Sequence, residues 1–218
     1  LMSQVLSEIT PYTEVLVLSG PSFAADVATG LPTAVTLAGR NIEQAKPIAQ
    51  ALLGPTFRPY LSDDLIGAQV GGAVKNVLAI ACGIVDGKGL GASARAALTT
   101  RGFAELVRFG TAMGAEAETL HGLSGLGDLI LTCNSPQSRN MSLGIALGEG
   151  KTLDEVLGAR KSVSEGVYTA SAVAEIAQEN TLDLPICTAV HSVVSGSASV
   201  DDAITALLAR PFRAELEG

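Results

Sequence analysis

Short apolar runs separated by amphipathic stretches fill the first third of the chain. From about Asp64 onward the pattern changes to helical periodicity broken by glycine. Leu1 to Ile9 reads as a helix. Glu14 to Leu18 is a β-leaning run that stops at Ser19-Gly20-Pro21, and Ser22 is placed to cap a short helix through Val27. Thr33 to Ala38 reads as a second strand. Asn41 opens a helix to Leu53, which Gly54-Pro55 stops, and Thr56 to Leu61 reads as a third strand. Strands alternating with helices of this length predict an α/β sheet. Three strands alone make a meagre sheet with two open edges.

Beyond Asp64 the spacing predicts helices only. Val70 to Val85 is apolar on every side, which makes that helix central. Ser93 to Met113 is a long helix with Gly114 as its left-handed cap. Ser138 to Leu147 follows Ser135-Pro136. Thr152 with Glu155 forms a capping box for a helix to Leu157, and Ser199 with Asp202 forms another for Val200 to Leu208. Val167 to Gln178 and Pro185 to Ser195 complete the set. The fold class expected is mainly α: an all-helical domain preceded by an α/β segment.

Composition narrows the function. With 14 Lys plus Arg against 22 Asp plus Glu, the net charge of −8 disfavours nucleic acid and anionic membranes as partners, because phosphate would be repelled. Cys82, Cys133 and Cys187 lie in apolar segments without metal-ligand spacing, so buried free thiols in a reducing compartment are expected and a metal is not. The apolar window Val70 to Val85 is shorter than the roughly 20 residues of a spanning helix and contains Lys75. These features together predict a cytoplasmic protein without membrane insertion. Position 1 is Leu and the first residues already read as mid-helix, so a piece of a longer polypeptide is expected.

Three segments carry candidate chemistry. In Gly71-Gly72-Ala73-Val74-Lys75-Asn76, Lys75 is the single charge in the apolar window. Small residues on the preceding turn would let a backbone or a ligand approach it. An amine in apolar surroundings suits general acid/base work, whereas a snorkelling lysine or a structural ion pair is the plain alternative. Gly122-Leu123-Ser124-Gly125-Leu126-Gly127-Asp128 ends on a carboxylate that either N-caps the following segment or pairs with Lys75. Ser135-Pro136-Gln137-Ser138-Arg139-Asn140 gathers a hydroxyl, a guanidinium and an amide at a helix start. That is either an anion site or an ordinary capped helix with a surface Arg. Gly87 to Gly91 and Gly122 to Gly127 are not the Gly-x-Gly-x-x-Gly fingerprint and follow no strand in a βαβ unit. Arg101 and Glu105 are spaced for a structural i,i+4 pair. His121 and His191 have no nucleophile nearby.

Taken in order, Ser19-Gly20-Pro21-Ser22-Phe23-Ala24, Gly72-Ala73-Val74-Lys75-Asn76, Gly125-Leu126-Gly127-Asp128-Leu129, Gln137-Ser138-Arg139-Asn140 and Glu165-Gly166 resemble the bacterial NAD(P)-dependent sn-glycerol-3-phosphate dehydrogenases. The resemblance implies residues 1–63 as the C-terminal remnant of an NAD(P)-binding Rossmann domain and 64–218 as an all-helical substrate domain. It implies interconversion of glycerone phosphate and glycerol 3-phosphate by hydride transfer, feeding glycerophospholipid synthesis. Lys75 would be the acid/base. Gly20, Ser22, Lys75, Asp128, Ser138, Arg139 and Asn140 would contact substrate. Ala24, Arg139, Val163 and Glu165 would contact NAD or NADP, and the enzyme would be a homodimer. The family's glycine fingerprint and an upstream substrate lysine are not in these residues, so this chain alone is expected to be inactive. Two other readings stay open: a related two-domain hydroxy-acid dehydrogenase with a helix-borne lysine, and a non-catalytic helical dimerisation or ligand-sensing domain.

Overall fold

The computed structural model describes residues 1–158, 164–211 and 214. The described elements run α1 (Met2–Ile9), β1 (Leu16–Ser19), α2 (Ala24–Ala28), β2 (Thr33–Gly39), α3 (Ile42–Leu52), β3 (Phe57–Ser62), α4 (Leu65–Gly87), α5 (Ala92–Ala112), α6 (Ala117–His121), a π turn (Leu123–Gly127), α7 (Asp128–Cys133), α8 (Arg139–Gly148), α9 (Leu153–Gly158), α10 (Glu165–Glu179), α11 (Pro185–Val194) and α12 (Val200–Leu208). The chain is thus mainly helical behind a small α/β segment. It divides into two compact units. One comprises Leu1–Lys75 with Leu106–Leu131, and the other Asn76–Glu105 with Thr132–Gly218.

In the first unit β2 lies at the centre of the sheet. It pairs antiparallel with β1, with Leu16 opposite Gly39, and parallel with β3, with Thr36 opposite Tyr60. The parallel pair needs a crossover, and α3 supplies it. Asn41 caps α3 by accepting from the Glu43 N–H at 2.9 Å. Because successive strand residues face opposite sides, Leu37 packs with Ala45 and Ala49 of α3 on one face, joined by Leu16 and Leu61. The next residue, Ala38, packs with Leu65 and Ala68 of α4 on the other, joined by Val17. The start of α4 is fixed by Asp64, whose buried carboxylate accepts from the Gly67 N–H at 2.7 Å and the Glu116 N–H at 2.8 Å.

In the second unit α4 and α8 touch backbone to backbone. A Cβ on Gly83 would stand 2.1 Å from the Met141 carbonyl oxygen, and one on Gly144 would stand 2.1 Å from that of Ile80. No larger residue fits at that separation. Val77, Leu78 and Ile80 are fully buried, each contributing about 1.5–3 kcal/mol relative to exposure. Glu105, also buried, closes the start of α11 by accepting from the Ile186 and Cys187 N–H groups at 2.7 and 3.0 Å. Sequence spacing had given Glu105 only an i,i+4 partner.

Two sequence expectations need correction. Ser22 is not the cap of α2: Phe23 holds that position, and the Ser22 hydroxyl donates to the Gly20 carbonyl at 3.1 Å. The central helix is 23 residues long rather than shorter than a membrane span, and by length and composition it could cross one; it is mostly buried within the protein. As observed it also carries Asp86, which pairs with Arg95 at 2.6 Å near the helix end. The three cysteines are buried and in no disulfide among the described residues, and both capping boxes form.

Candidate functional site

Lys75 and Asp128 meet in the first unit. The Lys75 Nζ donates to Asp128 Oδ2, with the lysine side chain 19% and the aspartate side chain 5% exposed. Of the two readings of Asp128, the structure therefore shows the pair with Lys75. The carboxylate stands at the first residue of α7, where the helix dipole also favours negative charge. A charge-assisted hydrogen bond between groups so poorly hydrated fixes both side chains.

The meeting depends on glycine. One turn before Lys75, a Cβ on Gly71 would lie 2.3 Å from the Ser124 carbonyl oxygen and 3.1 Å from the Gly125 Cα. The absence of that Cβ lets the π turn lie against α4 and deliver Asp128. At Gly72 the neighbour is Ser19: an added Cβ would lie 3.2 Å from its Oγ. On the far side of the π turn a Cβ on Gly127 would lie 3.6 Å from the Pro21 ring. The segment Ser19-Gly20-Pro21-Ser22 thus lies beside the glycines that flank both members of the ion pair. Gly20 is buried, Ser22 is exposed, and Ala24 is exposed at the start of α2.

The second unit holds the other group of candidates. Ser138 caps α8, its Oγ accepting from the Met141 N–H at 3.2 Å, which leaves its O–H as a donor. Arg139 opens α8 and Glu165 opens α10; the two form an exposed ion pair at 3.5 Å. Asn140 is buried: its Oδ1 accepts from the Gly166 N–H at 3.0 Å and its Nδ2 donates to Asn76 Oδ1 at 2.9 Å. The starts of α8 and α10 are therefore joined twice, by Arg139–Glu165 and by Asn140–Gly166. Val163 lies outside the described residues. Asn76 was not among the sequence-derived candidates. Its signal was available, since it is a second polar residue beside Lys75 in an apolar helix.

Chemically, the first unit offers a proton donor and acceptor held in place by a carboxylate, and the second offers a guanidinium, a hydroxyl and an amide at a helix start. Among the described residues no group of three His, Cys, Asp or Glu side chains is placed to hold a metal.

Comparison with known proteins gives this arrangement a context. Residues 64–205 match the family model described as NAD-dependent glycerol-3-phosphate dehydrogenase C-terminus, and residues 1–45 match its N-terminus counterpart. A protein of Parvibaculum lavamentivorans named glycerol-3-phosphate dehydrogenase [NAD(P)+] is 66% identical over 99% of this chain, and one of Maricaulis maris with the same name is 59% identical over 99%. The chain spans 65% of the length of each of these relatives. The crystal structure of glycerol-3-phosphate dehydrogenase from Coxiella burnetii superposes with a TM-score of 0.92 at 43% identity, covering 96% of this chain and 65% of that one.

Proposed function

Since the chain belongs to the NAD-dependent glycerol-3-phosphate dehydrogenase family, we propose that it forms the substrate-handling part of an oxidoreductase that interconverts glycerone phosphate and sn-glycerol 3-phosphate. In this reading residues 1–63 are the C-terminal part of the nucleotide-binding domain and 64–218 the substrate domain. The enzyme works with NAD or NADP as a cytoplasmic homodimer and feeds glycerophospholipid synthesis. The single observation that carries the chemistry is the Lys75–Asp128 pair, a proton-carrying amine locked by a buried carboxylate.

Lys75 gives its proton to the carbonyl oxygen of glycerone phosphate as the carbon is reduced, leaving a neutral amine and a secondary alcohol. In the reverse direction the amine removes the hydroxyl proton. Asp128 holds the amine at one position throughout, so no reorganisation is needed when charge moves. The phosphate is bound by the Ser138 O–H, the Arg139 guanidinium and an Asn140 N–H, aided by the N-terminal end of α8. Gly20 and Ser22 take further substrate contacts.

The residues present fit an anionic dinucleotide. Arg139 is a cation at a helix start, and the neighbouring Ser164 Oγ is buried without a partner among the described residues. Ala24, Arg139, Val163 and Glu165 would hold the cofactor, which when bound supplies the hydride.

The test is oxidation of NADH or NADPH by glycerone phosphate in the full-length enzyme and its Lys75→Met variant. Loss of the acid/base should lower kcat by about 10²–10⁴-fold with circular dichroism and melting unchanged. Near-normal kcat in a folded Lys75→Met protein would remove the acid/base assignment.

A further inference from the structure

We propose that Asn76 is a positioning residue that fixes which end of the Asn140 amide is offered to the phosphate; the proposal rests on the reading of Asn140 as a substrate contact. The Asn140 amide is buried and held at both ends. Gly166 N–H donates to its Oδ1 at 3.0 Å, and its Nδ2 donates to Asn76 Oδ1 at 2.9 Å. The backbone N–H of Gly166 cannot exchange roles, so it sets the polarity, and Asn76 holds the nitrogen end.

An amide nitrogen carries two N–H groups. Asn76 takes one, which leaves the other as what the nitrogen can offer a ligand, and an N–H is the polarity a phosphate oxygen requires. The flipped amide would set a donor against the Gly166 N–H and an acceptor against Asn76 Oδ1, and would turn a carbonyl toward an anion. The three residues are packed closely enough to hold that choice. A Cβ on Gly166 would stand 2.8 Å from both Asn140 Oδ1 and the Asn76 carbonyl oxygen. Buried polar groups with all partners supplied are rigid, and removing one partner releases the others.

The experiment is a double-mutant cycle in the full-length enzyme. Asn76→Ala, Asn140→Ala and the double variant are compared with glycerone phosphate and with unphosphorylated glycerone, and calorimetry measures glycerol 3-phosphate binding. Asn76→Ala should raise KM for glycerone phosphate at least tenfold with kcat changed less than threefold. It should lower the ratio of kcat/KM for the phosphorylated over the unphosphorylated ketone at least tenfold. In the double variant it should add less than threefold to the loss from Asn140→Ala, because the two act as one unit. Asn76→Ser keeps an accepting oxygen and should recover part of the KM and of the calorimetric affinity; it decides the matter if Asn76→Ala does not fold. Equal losses for the two ketones, or effects that multiply in the double variant, would overturn the positioning role and leave Asn76 a packing residue. An Asn140→Ala enzyme with unchanged KM would overturn the substrate reading of Asn140 first, and the role of Asn76 with it.

Discussion

A Cβ on Gly71 would stand 2.3 Å from the carbonyl oxygen of Ser124, so the turn of α4 that precedes Lys75 and the π turn that precedes Asp128 are in backbone contact. Alanine at 71 gains about 1 kcal/mol of helix propensity, but it cannot fit without moving the π turn, and overpacking of this kind costs about 1–3 kcal/mol. Gly71→Ala is therefore expected to be less stable than the natural chain despite the better helix former. It should also lose activity out of proportion to the stability change, since the displaced turn carries Asp128 away from Lys75. Urea unfolding and steady-state kinetics on the full-length enzyme check this. A variant of unchanged stability and kcat would show that the contact does not set the ion pair.

Much of this was legible in the sequence. The run Thr33 to Ala38 marked a strand, and side-chain oxygens at Asn41, Thr152 and Ser199 marked helix caps that the structure shows. These signals are local, because a cap or a strand face is decided within a few residues. Lys75 stood out as a charge in an apolar window, and Asp128 as its possible partner. What the pattern did not give was long-range. The Gly83–Gly87 and Gly144–Gly148 spacings, which bring α4 and α8 into backbone contact, look in sequence like weak points of two helices. Glu105 read only as half of a structural i,i+4 pair with Arg101, because the helix start it closes lies 81 residues further on. Asn76 shows in sequence only as a second polar residue beside Lys75, while the partner that gives it a role lies 64 residues away.

Arg139 gives a prediction that separates binding from folding. Its ion pair with Glu165 is exposed at both ends, 58% and 67%, and such pairs contribute little to stability. Arg139→Ala should melt close to the natural chain. If the guanidinium grips the phosphate, the same change should cost about 1.5–3 kcal/mol of substrate binding, read as a rise in KM for glycerone phosphate of about 10–150-fold. Unchanged KM and kcat/KM would take Arg139 out of the phosphate site.

Glu105 gives the opposite combination. It lies 3% exposed, 2.7 and 3.0 Å from the two N–H groups it receives at the start of α11. Glu105→Ala leaves both donors buried without an acceptor, at about 1–3 kcal/mol. Glu105→Gln keeps one carbonyl acceptor and should fall between. The same region supplies a second readout. Burial, reinforced by the nearby Glu105 charge, pushes the Cys187 thiol well up, and a protonated buried thiol is unreactive. Thiol labelling of the folded chain should therefore spare Cys187, and Glu105→Ala should speed its labelling by loosening the first turn of α11. Equal labelling rates in the two proteins, with equal unfolding midpoints, would show that the carboxylate does not hold that turn.

The two capping boxes predict how the chain responds to acid. Asp202 Oδ2 accepts from the Ser199 hydroxyl at 2.6 Å and the Ser199 N–H at 3.3 Å. Glu155 Oε2 accepts from the Thr152 N–H at 2.8 Å and the Thr152 hydroxyl at 3.0 Å. These bonds favour the ionised form and lower both carboxyls: for Asp202 the Ser199 hydroxyl contributes most, for Glu155 the Thr152 N–H. Each group then binds its proton at lower pH when folded than when unfolded. Between those two values the unfolded chain carries more protons, so stability rises with pH there. The contribution is complete above the ordinary carboxylate range of about 4 and disappears as pH falls through the folded value. Urea midpoints followed from pH 5 down to pH 2.5 should fall more steeply for the natural chain than for a variant carrying Asp202→Asn and Glu155→Gln, whose amides do not titrate. The two curves should converge at the acid end, where the natural carboxyls are protonated as well. Parallel acid limbs would mean that neither box is tighter in the folded chain than in the unfolded one, despite the bonds at Ser199 and Thr152.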